Sequence, residues 1–256
     1  MRDKLLNKFS LSFVTVFMVA LFAHPALAQN ISIDLGSGSD GTVTGRVVQM
    51  VALMTVLSLA PSILIMMTSF TRIVVVLSFL RTAIGIQQTP PNTVMVSLAL
   101  FLTFFIMAPT LQSAYDEGIV PLINEDIDEI QAFERTTMPF KRFMLKHVRD
   151  DDLELFVEMS NTGSYDKAID IPLQIVIPSF MISELRRAFE IGFMLFLPFL
   201  IIDLVTASIL MSMGMMMLPP VTVSLPFKII FFVLVDGWHL ISGSLIQSFT
   251  TVSGGG

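Results

Sequence analysis

The sequence predicts an all-α integral membrane protein, with four hydrophobic helices after a cleavable signal peptide and a helical insertion on the periplasmic side. Three observations predict it. Of 256 residues, 54% are hydrophobic and only 14% charged, against about 25% charged in an ordinary soluble domain, and the mean hydropathy is +0.78. Residues 47–71 carry no charge, a run long enough to cross a hydrocarbon core of about 30 Å at about 1.5 Å per residue. The chain also opens with a basic, then apolar, then small-residue segment. The same composition excludes other classes. A disordered chain needs low hydrophobicity and high net charge. A nucleic-acid binder needs clustered Lys and Arg, whereas this chain has a net charge of −6 and no basic stripe. With no cysteine and three histidines, disulfides, thiolate metal sites and thiol nucleophiles drop out, and neither a cofactor nor a metal is expected.

Taken in order, residues 1–28 combine Arg2, Lys4 and Lys8, the apolar run 11–22 and Ala26, Leu27, Ala28, a secretory signal with its cleavage site. Residues 29–46 are a flexible, Gly-, Ser- and Thr-rich mature N-terminus. Gly36, Gly38 and Gly41 formally match a dinucleotide-binding pattern. That pattern requires a preceding strand, a helix start and an acid about 20 residues on, and residues 47–71 hold no acid. The first hydrophobic hairpin covers 47–110, with apolar runs at 47–71, 73–80 and 94–109 and a polar break around Pro90 and Pro91. A periplasmic helical region follows at 111–185. There, Phe140, Phe143, Met144, His147 and Val148 recur at helical spacing, and Asp150, Asp151 and Asp152 cap the next helix; they lack the spacing and glycine of a calcium loop. The second hydrophobic hairpin, 186–250, contains apolar helices at 191–213 and 229–249 joined by a methionine-rich loop. Residues 251–256 form a C-terminal tail.

A cleaved signal leaves Gln29 outside, so four crossings put segments 72–91 and 212–228 on the cytoplasmic side. Their Arg72, Arg81 and Lys228, with no acid among them, agree with the excess of cations in cytoplasmic loops.

Polar groups inside the apolar helices are few. An aspartate at a bilayer centre costs about 2.5–3.5 kcal/mol by insertion scales, so Asp203 and Asp236 need partners, for which Lys228, Arg186 and Arg187 are the nearby cations. A protease dyad of the two aspartates lacks its Gly-x-Gly-Asp context. A small-ion or solute transporter using them is the alternative from another class. His239 reads as a satisfied hydrogen-bonding group. The densest feature is the run of Met211, Met213, Met215, Met216 and Met217 before Pro219 and Pro220, which stop the helix. Thioethers fill cores, but they also suit a surface that must fit many shapes, and a ring of them makes a constriction that closes by dewetting.

Six runs carry a family resemblance: 67–81 (MTSFTRIVVVLSFLR), 87–92 (QQTPPN), 98–107 (LALFLTFFIM), 178–192 (PSFMISELRRAFEIG), 197–220 (LPFLIIDLVTASILMSMGMMMLPP) and 225–238 (LPFKIIFFVLVDGW). They cover nearly the whole mature chain, and the sequence resembles the FliP family of flagellar type III export-gate proteins, which is related to virulence secretion systems. The resemblance implies a non-enzymatic pore subunit in the inner membrane, within the flagellar basal body. It implies five copies assembling with FliQ, FliR, FlhB and FlhA, helped by the assembly factor FliO, to pass unfolded flagellar proteins. It places a pore gasket at Met215, Met216 and Met217, with Met211 and Met213 as further contributors. Glu184, Arg187, Asp203, Lys228 and Asp236 are then structural or intersubunit charge pairs. The resemblance also implies that some apolar helices face protein rather than lipid.

Overall fold

The computed structural model describes residues 43–86, 89–160, 163, 165–215 and 218–250. The predicted signal peptide, residues 29–42 of the lead-in and the tail 251–256 lie outside the described residues. The chain divides into two compact units between Met54 and Thr55. Of the first unit, residues 43–54 are described and are wholly helical. The second unit carries everything that follows.

All regular structure among the described residues is helical. Helix α1 (Val43–Met66) belongs to both units. It is followed by α2 (Phe70–Ile84), α3 (Asn92–Ala114), a π-helical turn (Tyr115–Ile119), the short α4 (Val120–Ile123), α5 (Glu129–His147), α6 (Asp150–Met159), a 3₁₀ turn (Ala168–Asp170), α7 (Leu173–Ser212), α8 (Pro220–Leu234) and α9 (Gly237–Thr250). Two helical stretches, Asn92–Ile123 and Leu173–Ser212, are long and apolar enough to cross a membrane. Counting the bent pair α8 and α9 as one adds a third.

The architecture departs from the sequence expectation in five places, four of them in the shorter helices and the fifth in α7, each with a physical reason. The predicted span 47–71 ends at Met66, because Met67 and Ser69 turn inward and are buried. The apolar run 73–80 is the centre of the fold. At 15 residues, or about 22 Å, α2 is too short to cross lipid, and Ile73, Val76, Leu77 and Leu80 are completely enclosed. The run 94–109 is part of a 32-residue helical stretch; Pro109 removes one ladder bond without ending the helix. The run 229–249 is two helices meeting at 62°. Asp236 takes a left-handed φ of 50° at the break, a conformation Asp tolerates better than most residues, so it sits between helices rather than inside one.

Helix α7, with 40 residues, is about 60 Å long, twice a hydrocarbon core. Sequence reading isolated only its apolar end, because the charged segment SELRRAFE masked the continuity. Its first half packs on α2, α5 and α6. The contact with α2 is close because Gly192 faces Phe79: an added Cβ would lie 2.5 Å from the phenyl ring. One core cluster joins Val76 and Leu80 of α2, Ala99 of α3, Ala188 and Phe199 of α7, Phe232 of α8 and Leu245 of α9. A second joins Met107 of α3, Phe140 and Met144 of α5, and Val176 and Phe180 of α7. The predicted stripe on α5 supplies part of the second cluster, with Phe140, Met144, His147 and Val148 buried. Asp128 begins that helix, its carboxylate accepting from the Gln131 amide at 2.8 Å. Asp150, Asp151 and Asp152 occupy the first turn of α6 and make no capping bond. They favour the helix through its dipole, and Asp152 also accepts the Ser183 hydroxyl at 2.7 Å.

Candidate functional site

The methionine loop is built by the way α7 stops. Gly214 adopts φ 74°, its amide donates to the Met211 carbonyl at 3.1 Å, and the Met215 amide donates to the Leu210 carbonyl at 3.0 Å. These are the paired bonds of a left-handed helix stop with glycine just past the end. Pro219 and Pro220 then open α8, whose first turn needs no amide from Pro220. Met211, Met213 and Met215 are 61%, 62% and 44% exposed. Met216 and Met217, two of the three predicted gasket residues, lie outside the described residues. Beside the loop, Ile201, Val205, Ile209, Met213, Met215 and Phe227 line an almost wholly apolar groove of about 520 Å³ between α7 and α8.

Below the loop, the charges in the apolar helices are paired inside the chain. Lys228 Nζ of α8 reaches Asp203 Oδ2 of α7 at 2.6 Å and donates to the Ala83 carbonyl of α2 at 3.1 Å, while the Ser224 hydroxyl donates to Asp203 Oδ1 at 2.6 Å. Asp203 and Lys228 thus form an ion pair between α7 and α8. Glu184 is fully buried, and its partner is Arg72 of α2, with Nε to Oε2 at 2.8 Å and a second bond from Nη2 to Oε1. Arg72 also donates to Ser248 Oγ at 2.9 Å and stacks 3.7 Å above the Phe249 ring. One guanidinium therefore ties α2, α7 and α9 together.

Arg72 was expected in a cytoplasmic loop, as was Lys228. Both lie in helices and are buried, because an opposite charge in the same core holds each of them. Arg81 alone of the three keeps an open position, bonded to Asn92. Two of the three cations behind the predicted orientation therefore report on packing rather than on a membrane side.

The remaining charges separate from these pairs. Arg186 pairs with Glu190 one turn on, in the open, at 3.3 Å. Arg187 forms no ion pair among the described residues. Asp236 is exposed at the break between α8 and α9, and His239 is exposed on α9 with no hydrogen bond among the described residues, unlike the satisfied group expected. With Asp203 held by Lys228 and Ser224, its carboxylate is not offered to Asp236. The sequence reading missed Arg72, Ser248 and Phe249 as partners. Arg72 interrupts two long apolar runs, which was a signal that it needed an internal acid, but nothing local identified Glu184, 112 positions away.

Known proteins place this arrangement. The FliP family profile matches residues 53–245. The flagellar biosynthetic protein FliP of Caulobacter vibrioides is 58% identical over 246 residues, covering 96% of this chain and 92% of its own. The protein of that name from Rhizobium meliloti is 49% identical, covering 91% and 97%, and the one from Bacillus subtilis is 55% identical, covering 85% and 98%. The profile match and these relatives, each covering most of both chains, show that the chain belongs to the FliP family of flagellar biosynthetic proteins.

Proposed function

We propose that the protein is a pore-forming subunit of the flagellar type III export gate, which passes unfolded flagellar proteins across the inner membrane. Met215, Met216 and Met217 form the constriction, and Met211 and Met213 form its rim. The observation that carries this reading is the methionine-rich turn: a self-satisfied backbone stop on which Met211, Met213 and Met215 are exposed. A single turn cannot close a conduit. Copies arranged about an axis, five by family resemblance, would bring these flexible side chains together as an apolar plug that resists ions when idle and deforms around an unfolded chain.

In this reading the mature N-terminus is periplasmic, and hairpins at 47–110 and 186–250 flank the polar region 111–185. α1, α3 with its extension, the apolar half of α7, and the bent pair α8 and α9 are the four membrane-associated elements. FliQ, FliR, FlhB and FlhA complete the gate, and FliO assists assembly. The reading assigns no catalysis and no cofactor to the chain. Asp203 with Lys228 and Glu184 with Arg72 are internal struts. Arg187 and Asp236, the charges left without an internal ion pair, are those offered to neighbouring subunits. The carrier alternative needs Asp203 as a titrating site, and its place opposite Lys228 weakens that role.

Replacing Met215, Met216 and Met217 by alanine raises ion leakage across the resting membrane while the protein still accumulates. Unchanged conductance in an assembled complex removes the gasket. Neutralising Asp203 and Asp236 together to asparagine separates the two readings, since struts fail at assembly, whereas a carrier assembles and loses coupling.

A further inference from the structure

A second cavity, away from the methionine loop, lies where α3, α5 and the last turn of α9 meet. It holds about 550 Å³. Its lining combines apolar and cationic residues. Phe105 and Ile106 of α3 and Ile246 and Phe249 of α9 form an apolar floor, and Arg142 and Lys146 of α5 stand at the wall with Ser113 opposite. Arg142 and Lys146 are one helical turn apart and both exposed. Lys146 has no ion-pair partner among the described residues, and Arg142 is held only by Glu117, at 3.3 Å in the open.

We infer that this cavity binds an anionic glycerophospholipid, with its phosphate between Arg142 and Lys146 and an acyl chain along α3. Two features select this occupant. The first is charge complementarity: the wall offers two neighbouring cations, Lys146 without an ion-pair partner among the described residues and Arg142 paired with Glu117 only in the open. The second is the continuation of the apolar floor. From Ser113 the exposed side chains of α3 run back through Phe105 and Phe104 to Phe101, which are 67%, 60% and 74% exposed. Twelve residues of helix make about 18 Å, comparable to a fatty acyl chain. The cavity therefore sits where an apolar helix turns polar beside a basic amphipathic one, a juxtaposition that suits an acyl chain joined to a phosphate. Each Lys or Arg close to anionic lipid strengthens binding by about fivefold.

The test uses the full chain, extracted with the complex it forms and moved into nanodiscs of phosphatidylcholine with or without phosphatidylglycerol, with retained lipid counted by native mass spectrometry. We expect phosphatidylglycerol to be retained at least about tenfold over phosphatidylcholine, and the double change Arg142→Gln and Lys146→Gln to abolish that preference. Glu117→Gln frees Arg142 and should strengthen retention, a gain that misfolding does not produce. A photoreactive phenylalanine analogue at Phe105 should label lipid. Equal retention of the two lipids, unchanged preference in the double variant, no gain from Glu117→Gln, inorganic phosphate competing as well as the lipid, or labelling of another protein chain at Phe105 would each overturn the assignment.

Discussion

The two halves of α7 follow different rules on one continuous helix. From Ile175 to Gly192 a buried residue returns every third or fourth position, and the stripe includes Ser179, Ser183 and Glu184, each hydrogen-bonded. From Phe193 to Ser212 only Phe199, Thr206 and Leu210 are buried, while Phe193, Met194, Ile201, Leu204 and Met211 are each at least 60% exposed. The first half is therefore specified by the chain itself. Apart from Asp203, which is held by Lys228, the second is exposed mainly through apolar side chains, a pattern that makes sense only against lipid or other subunits. Polar groups are concentrated where the chain folds on itself, and flexible apolar groups where it meets something else.

The sharpest way to break that contrast is to unpair the first half. Arg72→Met leaves Glu184 enclosed without its counter-ion, and breaking one side of a buried pair costs about 3–5 kcal/mol. We expect the variant to be lost from the membrane fraction or to unfold far below the wild type in a detergent melt. The double change Arg72→Met and Glu184→Met should recover most of that loss, since a buried pair replaced by apolar groups of similar size is often neutral. The same single change at Asp203, which keeps a part-open position, should cost less.

A smaller effect tests the closeness of α7 and α2. Gly192→Ala places a methyl 2.5 Å from the Phe79 ring. Overpacking of this kind costs about 1–3 kcal/mol. The melting midpoint should fall, and the change Phe79→Leu in the same chain should restore part of it. No fall in Gly192→Ala would mean the two helices are less tightly opposed than their backbones indicate.

Smaller still is a pH effect at the far end of the same buried region. His147 of α5 faces the Phe143 carbonyl through Nδ1 at 2.8 Å and the Phe249 carbonyl through Nε2 at 3.2 Å. Burial holds the imidazole below its ordinary value; the two carbonyls oppose that shift, and the charges of Arg72 and Lys146 add to it. A lowered value in the folded state means the unfolded chain takes up the proton first. The contribution to stability is therefore complete above about 6.5 and is lost as pH falls below it. Melting midpoints compared between neutral and mildly acidic buffer should drop, and His147→Gln should flatten the drop.

What the sequence made visible follows the same division. Apolar runs, the stripe on α5 and the methionine cluster are local patterns with a period or a density, and each was found by counting. The 40-residue continuity of α7 was hidden because its charged turn resembles a loop until Glu184 is given a partner. Arg72 and Lys228 were read as topogenic for the same reason: a cation between two apolar runs has one meaning at a membrane surface and the opposite meaning inside a core. Only long-range pairing, Arg72 with Glu184 and Lys228 with Ala83 and Asp203, decides between them. The bend at Asp236 had a local signal, since Asp236 and Gly237 form a turn-favouring pair, but the apolar runs on either side read as one helix.

The least perturbing substitutions carry the comparison furthest. If the thioethers of Met211, Met213 and Met215 were core filling, trimming them to alanine would cost about 2–5 kcal/mol each. Their exposure and the self-contained turn that presents them predict instead a change within about 0.5 kcal/mol, the range of surface positions. A triple alanine variant should therefore melt with the wild type, and any phenotype should appear only as leakage or as poorer passage of export substrates. A melt that falls by several degrees would move these methionines into the fold and leave the constriction to be sought elsewhere. An unchanged melt with raised leakage places their role between copies of the chain, where the exposed half of α7 already points.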